Sequence, residues 1–159
     1  MDEIAIVRAL HVVAIVLWIG GVGFVTTALL PSVRHVKAPE KRLAFFDAVE
    51  RRFASQARIT TLLAGLTGFY MVMRLDLWSR FLLPSYWWMH AMVIVWFTFT
   101  AMLFILEPLI LHRWLRRKAE SDPEATFRLV ENLHRILLSL SILAVFGAVA
   151  GSHGFMLFG

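Results

Sequence analysis

The sequence predicts an all-α integral membrane protein: a single membrane domain over residues 1–159 folded as a four-helix bundle, with both termini on one face. Three observations carry that prediction. The chain of 159 residues is 59% hydrophobic, with a mean hydropathy of +0.71, against about 45–50% apolar residues in ordinary soluble domains. Its apolar residues gather in four stretches, near 4–30, 57–77, 86–111 and 136–158. Its basic residues gather in two loops between those stretches.

Each stretch reaches the roughly 20 residues that cross about 30 Å of hydrocarbon at about 1.5 Å per residue. The first opens on Asp2-Glu3 and runs on through Trp18 to Leu30. A cleaved signal would have a basic start and a shorter apolar core, so this one reads as a retained helix. The second is the most polar, carrying Thr60, Thr61 and Thr67. Between the spans, Ala38-Pro39-Glu40 and Asp122-Pro123-Glu124 are helix starts, with proline in the first turn beside an acidic residue. They predict helical extensions over residues 39–56 and 123–135, ahead of spans two and four. Leu43, Phe46, Val49 and Phe53 fall at helical spacing in one extension, and Phe127, Val130 and Leu133 in the other, so these faces are expected to pack on each other, with lying on the lipid surface as the alternative.

Of the 16 Lys and Arg residues, 13 lie in the two loops: Arg34, Lys37, Lys41, Arg42, Arg51, Arg52 and Arg58, then Arg113, Arg116, Arg117, Lys118, Arg128 and Arg135. Only Arg8, Arg74 and Arg80 lie on the other side. The positive-inside bias places the loops in the cytoplasm and both termini outside a bacterial-type inner membrane. Topology accounts for the basic residues, so no nucleic-acid partner is expected. The absence of cysteine excludes disulfides, iron–sulfur clusters and thiolate metal sites.

The two halves resemble each other. Span one reads Ala9-Leu10-His11, an apolar run, Leu30-Pro31, then His35; span three reads Trp88-Met89-His90, an apolar run, Glu107-Pro108, then His112. Parallel repeats of this kind are a known membrane architecture. Small residues four apart, Ala64 with Gly68 and Gly147 with Gly151, predict close helix contacts. A homo-oligomer through the glycine faces is the alternative use of them.

Ionisable residues within spans mark functional sites by default. His11, His90 and His153 are expected at one level near the outer face. His11 and His90 are equivalent in the repeat and form the natural metal-binding pair, with His153 as a partner or alternative ligand. Neutral imidazole suits iron, so a b-type heme is the first expectation. Trp18 and Phe97, each seven residues beyond its histidine, would wall the macrocycle, and Arg8 or Arg74 would meet a propionate. The second expectation is a copper site using the same histidines with Met71, Met73, Met89, Met92 and Met156. His35 and His112 read as interface residues, and Arg58 with Glu107 as an ion pair or a quinone-binding carboxylate.

Arg8-Ala9-Leu10-His11 with Trp18 and Gly20-Gly21, Glu50-Arg51-Arg52-Phe53, and Trp88-Met89-His90-Ala91 resemble the HemJ-type membrane protoporphyrinogen oxidases and the related CopD-like membrane proteins. The resemblance implies a four-helix membrane fold with His11 as a heme ligand. The HemJ-type pattern has lysine directly after His-Ala in span three, where this chain has Met92. The expected function is therefore one-electron redox chemistry on a heme near the periplasmic face, with a quinone or a periplasmic redox protein as partner. Copper binding or transport, HemJ-like porphyrinogen oxidation, and a structural subunit are the alternatives.

Overall fold

The computed structural model describes residues 2–36 and 38–155; Lys37, Met156 and the end of the fourth expected span lie outside the described residues, as do the side chains of His112 and Arg116. The described chain is helical, without a strand. Its main helices are α1 (Asp2–Phe24), α2 (Leu30–Val36), α3 (Pro39–Arg74), α4 (Trp87–Ala101), α5 (His112–Ser121) and α6 (Pro123–Ser152). Three continuous helical stretches are long and apolar enough to cross a membrane: Glu3–His35, Pro84–Leu109 and Pro123–Ser152. Their outward faces are apolar, as at Val16, Phe24, Phe97 and Phe146, which suits lipid rather than water. The chain is thus a membrane protein. The second expected span, within α3, does not reach the same apolarity. Arg58 and Arg74 bound its apolar run to residues 59–73, and the Thr60, Thr61 and Thr67 within that run are buried.

Both predicted helix starts are present. Proline opens α3 and α6, and the Asp122 carboxylate caps α6 by accepting from the Ala125 amide at 2.9 Å. The two extensions pack on each other as their spacing predicted. Leu43 and Phe46 of α3 meet Phe127 and Val130 of α6, with Leu30 and Val33 of α2 completing the cluster. Beside this cluster, Arg34 reaches the buried Glu131 at 3.0 Å and Glu124 at 3.2 Å, and Arg42 also binds Glu124. The carboxylate of Glu131, 5% exposed, is tolerated because a guanidinium faces it.

Each half of the repeat widens into π-helix at its proline. Val25–Leu29 is π-helical just before Pro31, and Met102–Leu111 is π-helical around Pro108. Proline lacks an N–H and its ring collides with the carbonyl one turn back, so the helix relaxes by inserting a residue. The first bulge is supported by Thr26 and Thr27, whose hydroxyls donate to the Val22 and Gly23 carbonyls at 2.7 Å. The second is supported from another helix. In π-helical pairing the amide at 108 would serve the Leu103 carbonyl, and Pro108 has none to give. Arg58 of α3 supplies the donor: Nε donates to the Leu103 carbonyl at 3.2 Å while Nη2 donates to Glu107 at 3.2 Å. The predicted pairing of Arg58 with Glu107 is therefore present, and it also stabilises the bulge.

The small-residue pairs lie at helix contacts. Gly147 and Gly151 of α6 receive the rings of Trp87 and Trp88 of α4. Ala64 and Gly68 of α3 receive the His11 ring of α1. Gly65 similarly accepts Trp96, whose indole N–H donates to the Thr61 carbonyl at 2.9 Å.

Candidate functional site

His11 is half-buried in the seam between α1 and α3. Its Nδ1 lies 2.9 Å from the Ala64 carbonyl and 3.0 Å from the Thr67 hydroxyl. A carbonyl only accepts, so Nδ1 carries the hydrogen and Nε2 keeps the lone pair. A backbone acceptor on Nδ1 is the arrangement that orients a histidine for ligation through Nε2. The Thr67 hydroxyl is itself fixed, donating to the Leu63 carbonyl at 2.6 Å. The α3 threonines and the small-residue pair therefore build a seat for this ring.

The other two histidines of the expected set stand apart from His11. His90 is exposed on α4, edge-on to Phe81 with ring centroids 5.4 Å apart. His153 is exposed at the end of α6, its Nδ1 donating to the Val149 carbonyl at 2.8 Å. No hydrogen bond joins any two of the three, and no group of three His, Asp or Glu side chains with metal-holding geometry occurs among the described residues.

The flanking residues are also distributed differently from expectation. Trp18 is buried in the interior and packs edge-to-face on Phe99 at 5.0 Å, whereas Phe97 is 66% exposed. Phe99 is thus the aromatic partner in place of Phe97; two positions along a helix is more than half a turn, which swaps a lipid-facing ring for an inward one. Arg8 and Arg74 are exposed at the end of the molecule that carries the N-terminus. Near Arg74, the Tyr70 hydroxyl donates to Glu3, tying the end of α3 to the start of α1. Of the methionines, Met89 is buried in packing and Met73 is exposed.

A second site lies at the basic-loop end. A cavity of about 110 Å³ opens among α1, α3, α6 and the π-helical segment, walled by Trp18, Phe46, Phe53 and Phe99. Glu50, Glu107 and His134 supply its polar lining, with Asp47 and Arg51 beside them. Glu50 faces His134 across α3 and α6, Oε1 to Nε2 at 3.8 Å, and His134 Nδ1 donates to the Val130 carbonyl at 2.9 Å. The Glu50 side chain keeps 32% of its surface, so it stands in a recess rather than in packed interior. Burial, then the negative charges of Glu107 and Asp47, push its carboxyl up to about 8. The shift favours the neutral, protonated carboxyl, which can donate a hydrogen bond. Trp18 is 3% exposed and its indole N–H has no partner among the described residues. Buried indole N–H groups are nearly always bonded.

The chain matches no family model, no curated protein and no solved structure. Its function must therefore be argued from its own residues.

Proposed function

We propose that the chain is a four-helix membrane protein of the b-type heme class, with α3 as the fourth span and His11 as an axial ligand. The observation that carries this reading is the His11 seat. The ring is held by Ala64 and Thr67 through Nδ1, which leaves Nε2 as the electron-pair donor that iron requires. The macrocycle belongs at this end, because a cavity of about 110 Å³ at the other is too small for a porphyrin. His153 shares the Nδ1-to-carbonyl restraint of His11, and His90 is the counterpart of His11 in the repeat; one of these two would supply a second imidazole. Bound heme would supply one-electron redox chemistry. The protein supplies the imidazole, its tautomer and an apolar surround. The charge bias supports an orientation with this end outside an inner membrane and the basic loops in the cytoplasm.

The test is the visible spectrum of the purified protein, oxidised and dithionite-reduced, with metal analysis. A Soret band with sharp reduced α and β bands is expected. His11→Ala is expected to abolish it, and His35→Ala to leave it unchanged. His90→Ala and His153→Ala identify the second ligand, since only one should convert the spectrum to high spin. A colourless protein holding stoichiometric copper would overturn the heme reading in favour of a copper protein. A protein that takes up neither would point to a structural subunit.

A further inference from the structure

We propose that the cavity at the basic-loop end binds the single-ring head of a lipid-soluble benzoquinone. This inference stands apart from the heme assignment and uses none of its residues' chemistry.

Four observations converge on the site. The first is size. A cavity of about 110 Å³ is close to the ~150 Å³ that admits one benzene ring in an apolar protein interior, so the occupant is one ring and not a fused macrocycle. The second is the wall. Trp18, Phe46, Phe53 and Phe99 line the cavity, an aromatic wall that suits a flat ring. The third is the orphaned donor. Trp18 Nε1 is buried with no partner among the described residues, and an indole N–H can only donate, so an occupant with an acceptor oxygen suits it. The fourth is a second donor nearby. Glu50 holds its proton up to about pH 8, and its neighbour His134 keeps Nε2 for accepting, because Nδ1 is committed to Val130. A quinone carries two carbonyl oxygens that accept from such donors. Its isoprenoid tail is compatible with helices whose outer faces are apolar.

The charge balance disfavours ionic occupants. Glu107 is already paired with Arg58 at 3.2 Å, and Glu50 is proton-neutralised. An anion would face the carboxylates of Asp47 and Glu107, both in the lining. A cation would meet Asp47 beside the guanidinium of Arg51, with Glu107 already held by Arg58 and Glu50 uncharged.

The experiment uses the full-length protein in lipid nanodiscs at pH 7 with decylubiquinone as probe, read by quenching of tryptophan fluorescence. Saturable quenching is expected. Glu50→Ala and Trp18→Phe should each weaken it by about tenfold, the scale of one lost hydrogen bond at a buried donor. Because Trp18→Phe alters the fluorophore set, its affinity is read by competition against the parent's thermal stabilisation. Ala57→Leu fills the cavity from its wall and should abolish saturation while the protein stays folded. Val16→Ala, on a face 63% exposed, should change nothing. The proposal would be overturned by quenching that never saturates, by unchanged affinity in both Glu50→Ala and Trp18→Phe, or by equal binding of decylbenzene, which has no carbonyl. Tighter binding of cyclohexylamine than of the quinone would also overturn it, in favour of a cation site.

Discussion

Replacing Arg58 with methionine tests whether a side chain on one helix substitutes for the amide that proline removes from another. Arg58 makes two bonds at once, to the Leu103 carbonyl and to the Glu107 carboxylate, each at 3.2 Å. Methionine keeps most of the length and makes neither. The orphaned carbonyl costs about 1 kcal/mol. The unpaired carboxylate adds about 2 kcal/mol, below the usual cost for a buried pair, because Arg58 and Glu107 remain 36% and 27% exposed. R58M is therefore expected to lose about 3 kcal/mol. If the Leu103 carbonyl is short of a donor because of Pro108, then restoring an amide should recover that part. In a P108A background the same R58M change should cost only about 2 kcal/mol, a coupling of about 1 kcal/mol between residues on different helices. The assay is reversible unfolding in dodecyl maltoside micelles titrated with SDS, followed by far-UV circular dichroism for the four proteins of the cycle. A coupling under about 0.3 kcal/mol, the level at which independent sites add, would refute the reasoning: Arg58 would then serve Glu107 alone.

Three further outcomes follow from the glycine contacts and the Glu50 carboxyl. Gly20→Ala, where an added Cβ meets nothing within 4 Å, should stabilise by up to about 1 kcal/mol through helix propensity. Gly151→Ala places that atom 2.5 Å from the buried Trp88 ring and should lose about 1–2 kcal/mol, both read by the same SDS titration. Glu50 has a folded pKa of about 8 against 4.5 for the free side chain, so the folded state binds the extra proton between those values. Its contribution is fully present below about pH 4.5 and is lost as pH rises through 8. The thermal midpoint should therefore fall between pH 5 and 8.5, and Glu50→Gln should flatten that fall; a parent and variant with the same slope would show that Glu50 ionises normally.

The helical layout was legible because its signals are local. Pro39 and Pro123 begin their helices, and the apolar faces of the two extensions meet as their spacing required. The Arg58–Glu107 pair was legible from depth alone. What escaped was rotation about each helix axis. His11 and His90 match in sequence, yet one faces α3 and the other is exposed beside Phe81. A continuous apolar run carries little periodicity, so it does not say which side faces protein and which faces lipid. The inner cavity had a readable trace that depth arguments passed over. Glu50 and His134 each stand eleven residues after a helix-opening proline, and they meet across α3 and α6. Each also interrupts an apolar stripe, Glu50 between Phe46 and Phe53, His134 between Val130 and Leu137. A titratable residue on such a stripe is the signal to look for. Trp18 could not have been placed there from sequence, because its neighbour Phe99 lies in the other half of the chain.

The polarity of α3 has a consequence for how the protein is made. Its buried threonines and small residues face neighbouring helices rather than lipid, and its apolarity falls short of that of the three other long helical stretches. A segment of this kind gains little by entering a bilayer alone, since partitioning follows summed side-chain transfer energies. The preceding helix is synthesised first and presents the ring that α3 is shaped to receive. With α3 as the proposed fourth span, biogenesis should be ordered, with α1 held beside the translocon until α3 emerges and the two leaving as a pair. Substitutions at Ala64 or Gly68 would then appear first as wrong topology or rapid degradation in the cell, ahead of any change in the assembled protein.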